Sequence, residues 1–299
     1  MKLAIIGASS MIAQQAIEQF EGEKDVELIK ADLSGENPID LTNEQSVDEF
    51  FKTKDFTHAV LFSAYTDVNG AEKQRGEKEG ICWKINVEGV KHTVNACKKY
   101  HKKLVFFSTD FVYDGTSGPY KEDDPVGPDM DKVSWYGITK IEAEKIIQEN
   151  LETDSYLIIR ISYPYSGVDT GKEDLVLRTL HYFKKEGKLY PMYDDQVITP
   201  TFIADIEPAL QVLINKNKAG IYHLASAQTT TQYDFAKKLL THYTGKSVEL
   251  ERGSLKEALA QEGSTPRPLN GGLNVEKIES EGVLVTNWEQ GIEKVNTFG

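Results

Sequence analysis

The sequence predicts a doubly wound α/β fold built on a parallel sheet, and two observations carry that expectation. Five short runs are apolar at nearly every position: LAIIG (3–7), VELIKAD (26–32), HAVLFSA (58–64), KLVFFST (103–109) and YLIIRIS (156–162). Strands buried on both faces read this way. Stretches with helical spacing separate them, so strand and helix alternate. Right-handed crossovers then put helices on both sides of one sheet.

Taken in order, the first strand runs into GASSMIA (7–13) and the helical MIAQQAIEQF. The second and third strands are separated by NEQSVDEFF, the third and fourth by EGICWKINVEGVKHTVNACKKY, and the fourth and fifth by the helix that opens near Tyr136. Residues 1–165 thus form a Rossmann-type dinucleotide-binding core. After Ser162 the rhythm turns irregular. A helical stretch near 172–186 precedes LYPMYDDQVITPTF, a loop with two prolines. A helix over IADIEPALQVLI, a strand over GIYHLAS and a capped helix ending at Gly245 follow. Residues 166–299 form a smaller substrate-binding lobe with excursions back to the core.

Bulk composition narrows the function. The 299 residues are 39% hydrophobic and 27% charged, with a net charge of −13. That balance speaks against a nucleic-acid partner, which needs clustered Lys and Arg. No apolar run is long enough to span a bilayer, and the N-terminus lacks a signal-peptide layout. Cytoplasmic residence without a membrane partner is the expectation. Cys82 and Cys97, if they share one helix, stand about 22 Å apart, beyond disulfide range. The six histidines have no metal-ligand spacing, so no metal site is expected.

Four clusters carry chemistry. A glycine-rich turn at Gly7, followed by a helix N-terminus, suits a pyrophosphate. Of the three glycines in the full fingerprint only Gly7 is present, with Ser10 and Ala13 in the other places. Small residues Ser63 and Ala64 end the third strand and leave room for a flat ligand above the sheet. Ser108, Thr109 and Asp110 end the fourth. VSWYGITKIEAEK (133–145) then sets Tyr136 four residues before Lys140, neighbours on one side of what reads as an exposed helix start. An ammonium beside a phenol favours phenolate and brings its pKa toward working pH. Such a tyrosine can give a proton to a carbonyl oxygen, with the Thr109 hydroxyl holding the same oxygen.

With these residues in place the chain resembles an extended short-chain dehydrogenase/reductase, and within that superfamily the dTDP-4-dehydrorhamnose reductase group. AYTDVNGAE, INVEGV, STDFVYDG, YKEDDPVGP, YGITKIEAE, DDQVITPT and RPLNGGLNVEK carry the likeness almost end to end. The resemblance implies reduction of the 4-keto group of a nucleotide-linked deoxysugar by NADPH or NADH. Thr109, Tyr136 and Lys140 would be the catalytic triad, with Lys140 also on the nicotinamide ribose. Gly7, Ser10, Met11 and Ile12 would line the pyrophosphate, Asp40 and Leu41 the adenine, and Ser63, Ala64 and Tyr65 the middle of the coenzyme. Thr66, Val68, Phe111 and Tyr163 would surround the sugar, and Arg267 would reach a nucleotide phosphate.

Departures are visible as well. Tyr163 stands where the group often has tryptophan, and Asn69 replaces its usual aspartate. Asp32 at the end of strand two favours a free ribose 2′-hydroxyl, whereas Lys30 would accommodate a 2′-phosphate. A dehydratase would need a carboxylate pair after the threonine; here Asp110 is followed by Phe111. A nucleotide-sugar epimerase and a non-catalytic dinucleotide-binding regulatory subunit remain as alternatives. Pairing into a homodimer, as some of the group do, is left open.

Overall fold

A computed structural model describes residues 1–295; positions 296–299 of the expected C-terminal lobe lie outside the described residues. Strands β1 (Lys2–Ile6), β2 (Glu27–Ala31), β3 (His58–Leu61), β4 (Lys103–Thr109) and β5 (Tyr156–Ile161) fall on the five apolar runs. Two-residue strands β6 (Met192–Tyr193) and β7 (Val197–Ile198) come next, then β8 (Gly220–His223), β9 (Thr230–Thr231) and β10 (Arg252–Gly253). One sheet holds six of them in the order β2-β1-β3-β4-β5-β8, every pair parallel.

Side-chain alternation explains why the strands are apolar throughout. Leu3, Ile5, Val60, Val105, Phe107, Leu157 and Ile159 face one layer, packed with the helices Met11–Glu21 and Ile206–Asn215. Ala4, Ile6, Ala59, Leu61, Leu104, Phe106 and Ile158 face the other, against Glu44–Thr53, Gly89–Tyr100 and Trp135–Asn150. Each strand therefore serves two cores. A third cluster joins Val176, Leu180, Met192, Phe235, Leu239 and Ile292 around the helices Leu175–Glu186 and Gln232–Thr244. Thr231 and Asp234 cap the latter reciprocally, and Gly245 ends it at φ 68°.

Strand order reverses between β1 and β3, because the chain leaves β1 toward β2 and returns on the opposite side for β3. Ligands of open α/β sheets bind in the crevice this leaves at the strands' carboxyl ends. Of the pairs β6–β10 and β7–β9, β6 and β7 lie in what reads from sequence as plain loop, and β9 at the start of what reads as a capped helix. Two-residue strands are too short to show a period. Among the described residues, no helix is long and apolar enough to cross a membrane.

Candidate active site

The crevice starts at Gly7. Its φ is +85°, and a Cβ there would fall 2.6 Å from the Ser63 amide nitrogen, so only glycine lets β1 and β3 end this close. Ser10, which departs from the glycine fingerprint, is the N-cap of Met11–Glu21: its Oγ accepts from the Ala13 amide at 3.2 Å. The hydroxyl is thus committed to the helix end and leaves the preceding turn open.

Beside this turn lies a cleft of about 300 Å³, lined by Gly7, Asp32, Asp40, Leu41 and Ser63 together with Leu33, Ile81 and Ile85. Leu33 is 72% and Ile81 48% exposed, side chains that an apolar flat base would cover. Asp32 accepts from the Ser9 amide at 2.8 Å and the Leu33 amide at 2.9 Å. Burial pushes its carboxyl up, but Ser9 and Leu33 together hold it below the usual value. Lys30 is paired with Glu21. An apolar slot ending in a carboxylate and joined to a glycine turn fits the adenosine half of a dinucleotide.

A larger cavity of about 540 Å³ opens over β4 and β5. Thr109, Phe111, Tyr136, Lys140 and Tyr163 line it, as do Met11, Ile12, Ala64, Thr66, Val68 and Arg267. The two clefts therefore gather all but two of the residues singled out from sequence. Ser10 and Tyr65 line neither cleft. Tyr65 is gripped at its backbone by Asn86, which accepts from its N–H at 2.8 Å and donates to its carbonyl at 3.0 Å. Asn86 lies in a π-helical turn, Lys84–Glu88, between Ile81–Trp83 and Gly89–Tyr100. Such turns often mark functional positions.

Gly137 brings in the helix that carries Tyr136 and Lys140. A Cβ at 137 would lie 2.2 Å from the Phe111 carbonyl oxygen, so the Trp135–Asn150 helix meets the end of β4 only through glycine. Tyr136 packs edge-on to Phe111 at 5.9 Å. The helix start is not exposed, as its polar spacing suggested. Tyr136 and Lys140 are both buried, Tyr136 in a cluster with Trp135, Trp83 and Phe111 and Lys140 over the ring of Phe106.

Acidification of Tyr136 by Lys140 also needs correction. Burial raises the phenol well above its ordinary value, against a lowering by the Thr109 hydroxyl. Lys140 instead donates to the Phe107 carbonyl at 2.7 Å, and burial brings its pKa down to about 7 against the pull of Glu144. Thr109 donates to Asp110 Oδ1 at 3.1 Å, and Ser162 to Asp110 Oδ2 at 2.8 Å. Burial pushes the Asp110 carboxyl up to about 7.

Several wall residues escape a reading by motif. Gln196, Gln232, Arg178, Tyr190 and Tyr193 come from the irregular second half, and all but Gln196 line the cavity. Gln196 belongs to the DDQVITPT segment, whose sequence alone points to no role for it. Arg267 donates to Asn69 Oδ1 at 2.9 Å, so the asparagine that departs from the expected pattern holds a residue of the cavity wall. Among the described residues, no group of three or more His, Cys, Asp or Glu gathers as metal ligands.

Known proteins share this architecture. Residues 1–297 match the family described as the RmlD substrate binding domain. A dTDP-4-dehydrorhamnose reductase of Salmonella typhimurium is 29% identical over 267 residues, 86% of this chain and 85% of that protein. The crystal structure of a dTDP-4-dehydrorhamnose reductase from Clostridium acetobutylicum superposes with a TM-score of 0.84 at 27% identity, covering 99% and 98% of the two chains. One from Bacillus anthracis, solved in complex with NADP, superposes at 0.83 with 25% identity over 98% of each chain. With the matched segment spanning β1 through the last described helix, the chain belongs to the RmlD substrate binding domain family.

Proposed function

We propose that this chain is an NAD(P)H-dependent reductase that converts the 4-keto group of a nucleotide-linked deoxysugar to a hydroxyl. The observation that carries the reading is the convergence of Thr109, Tyr136 and Lys140 on one cavity that adjoins the Gly7 crevice. The names of the relatives point to the same chemistry. In this division of labour residues 1–165 hold the coenzyme and 166–299 close over the sugar nucleotide.

A nicotinamide coenzyme held along Gly7, Met11, Ile12, Ser63 and Ala64 supplies the hydride. The chain supplies the proton and the alignment. A buried Tyr136 with a raised pKa keeps its phenolic hydrogen until the ketone oxygen needs it. Thr109 holds that oxygen by turning its hydroxyl from Asp110. Lys140, close to neutrality and beside Tyr136 on the helix, returns a proton to the phenolate that is left.

The test is direct. Purified protein is mixed with NADH or NADPH and a panel of nucleotide 4-keto-sugars while the reduced coenzyme's absorbance is followed. Stoichiometric oxidation that disappears in Tyr136→Phe is the expected result. Interconversion of sugars without net coenzyme oxidation would mean an epimerase, and tight coenzyme binding with no turnover would mean a binding subunit.

A further inference from the structure

We propose that Tyr163 is a fixed hydrogen-bond donor that reads a C2 or C3 hydroxyl of the sugar, its direction set by Gln196 and Gln232. The inference rests on the cavity taking a nucleotide 4-keto-sugar.

The argument is one of hydrogen counting. Gln196 is fully buried, 0% exposed. One end of its amide lies 3.0 Å from the Pro268 carbonyl oxygen, which can only accept, so that end is the nitrogen. The other end is then the oxygen, and it accepts from Gln232 Nε2 at 2.7 Å. An amide nitrogen has two hydrogens. One goes to Pro268 and the other to the Tyr163 hydroxyl oxygen at 2.9 Å. Tyr163 therefore accepts from Gln196, with the Gln232 amide also set against its oxygen, and among the described residues its own hydrogen has no protein acceptor.

That hydrogen is left for the cavity that Tyr163 lines with Phe111, whose ring lies 6.3 Å away. The backbone supports this placement: Tyr163 has φ +40°, a left-handed conformation that a bulky residue adopts at a cost. It turns the ring off the end of β5, while Tyr165 two residues on returns to the core. Burial keeps the phenol protonated, with its pKa pushed up to about 12. A donor presented into a cavity leaves an unpaired hydrogen when the ligand brings no acceptor, and that loss is what discriminates. Tyr136 and Thr109 approach from β4 and the catalytic helix and take the C4 oxygen. The nucleotide occupies C1. The C2 and C3 hydroxyls are the acceptors left for a group entering from β5.

Steady-state constants for the wild type and Tyr163→Phe on a nucleotide 4-keto-6-deoxyhexose and on its 2-deoxy and 3-deoxy counterparts test this. On the parent sugar Tyr163→Phe should lose about tenfold in kcat/KM, mostly through KM. On one of the two deoxy sugars the wild type should already be down by a similar factor, with no further loss in the variant. Equal constants for both proteins on the parent would overturn the inference, as would the same loss on all three sugars, which marks mere packing. A wild type that turns over none of them overturns this inference and the reductase reading together. Turnover by the wild type with an indifferent Tyr163→Phe sinks this inference alone.

Discussion

Two buried cations, Lys140 on the Trp135–Asn150 helix and Arg160 on β5, are treated in opposite ways. Lys140 and Arg160 are each 2% exposed. Arg160 forms a bidentate pair with Glu144, Nε to Oε1 at 3.0 Å and Nη2 to Oε2 at 2.6 Å, and donates to the Tyr113 hydroxyl at 2.6 Å. Ser108 donates to the same carboxylate at 2.5 Å. Burial acts to lower the Arg160 pKa, but Glu144 and Tyr113 more than offset it, so the guanidinium stays charged. Among the described residues Lys140 has one hydrogen-bond acceptor, the Phe107 carbonyl, and it lies over the face of the Phe106 ring at 3.9 Å. Its charge is not balanced on the spot, and its pKa falls to about 7. A charge whose partners all belong to the protein holds the fold. A charge left short of partners awaits something from outside.

The largest effect should come from breaking the satisfied pair. Arg160→Met leaves Glu144 buried without its counter-ion, which costs about 3–5 kcal/mol. Urea unfolding should show a large drop in midpoint, and Arg160→Met with Glu144→Leu should recover most of it. A loss under about 1 kcal/mol in the single variant would dissolve the distinction between the two cations.

Lys140→Met should do the reverse, costing activity while sparing the fold. Loss of one charged group at the reacting centre lowers kcat on the order of a hundredfold. Stability should rise instead, with a definite pH dependence. The native pKa is about 7 against the ordinary 10.5. Between those values the unfolded chain holds a proton that the native one lacks, so wild-type stability climbs with pH across that window. The variant lacks this climb. Its advantage in Tm should be greatest below pH 7 and shrink toward pH 10.5. An advantage independent of pH would mean that Lys140 is not desolvated in solution.

Most of the parallel sheet and of the lining of the Gly7 crevice was legible because the signals there are local. Apolar runs, a glycine after the first strand and the Tyr136–Lys140 spacing lie within short windows. The sixth strand, β8, read as a strand, although its place beside β5 depends on a crossover of some 60 residues. Burial of Tyr136 could not be read, since it depends on Trp83 and Phe111 arriving from other elements. The Glu144–Arg160–Tyr113 network was invisible for the same reason: its members come from one helix, β5 and the turn after β4. Gln196 carried a motif but no role, because a hydrogen-bond direction exists only once Pro268 and Gln232 are in place.

An anion extends the comparison, with the smallest expected effect. Asp32 is held by two backbone amides, yet it borders the open cleft at Leu33 and Asp40, so its carboxylate has capacity to spare. In this respect it resembles Lys140 more than Glu144. The hydroxyls of an unmodified adenosine ribose are donors that suit it, whereas a 2′-phosphate brings like charge against it. Lys30, the cation that would offset such a phosphate, is engaged by Glu21. We therefore expect NADH to be used ahead of NADPH. Asp32→Ser should lower kcat/KM for NADH and raise it for NADPH, moving their ratio about tenfold, roughly the 1.4 kcal/mol of one favourable polar contact. Loop 166–174 also bears on the outcome, because Lys172 draws the Asp32 carboxyl down by its charge. If Lys172 rather than Asp32 sets the preference, Asp32→Ser will leave the ratio nearly unchanged and Lys172→Met will move it toward NADH. Asp32 would then belong with Glu144, as a charge the protein keeps for itself.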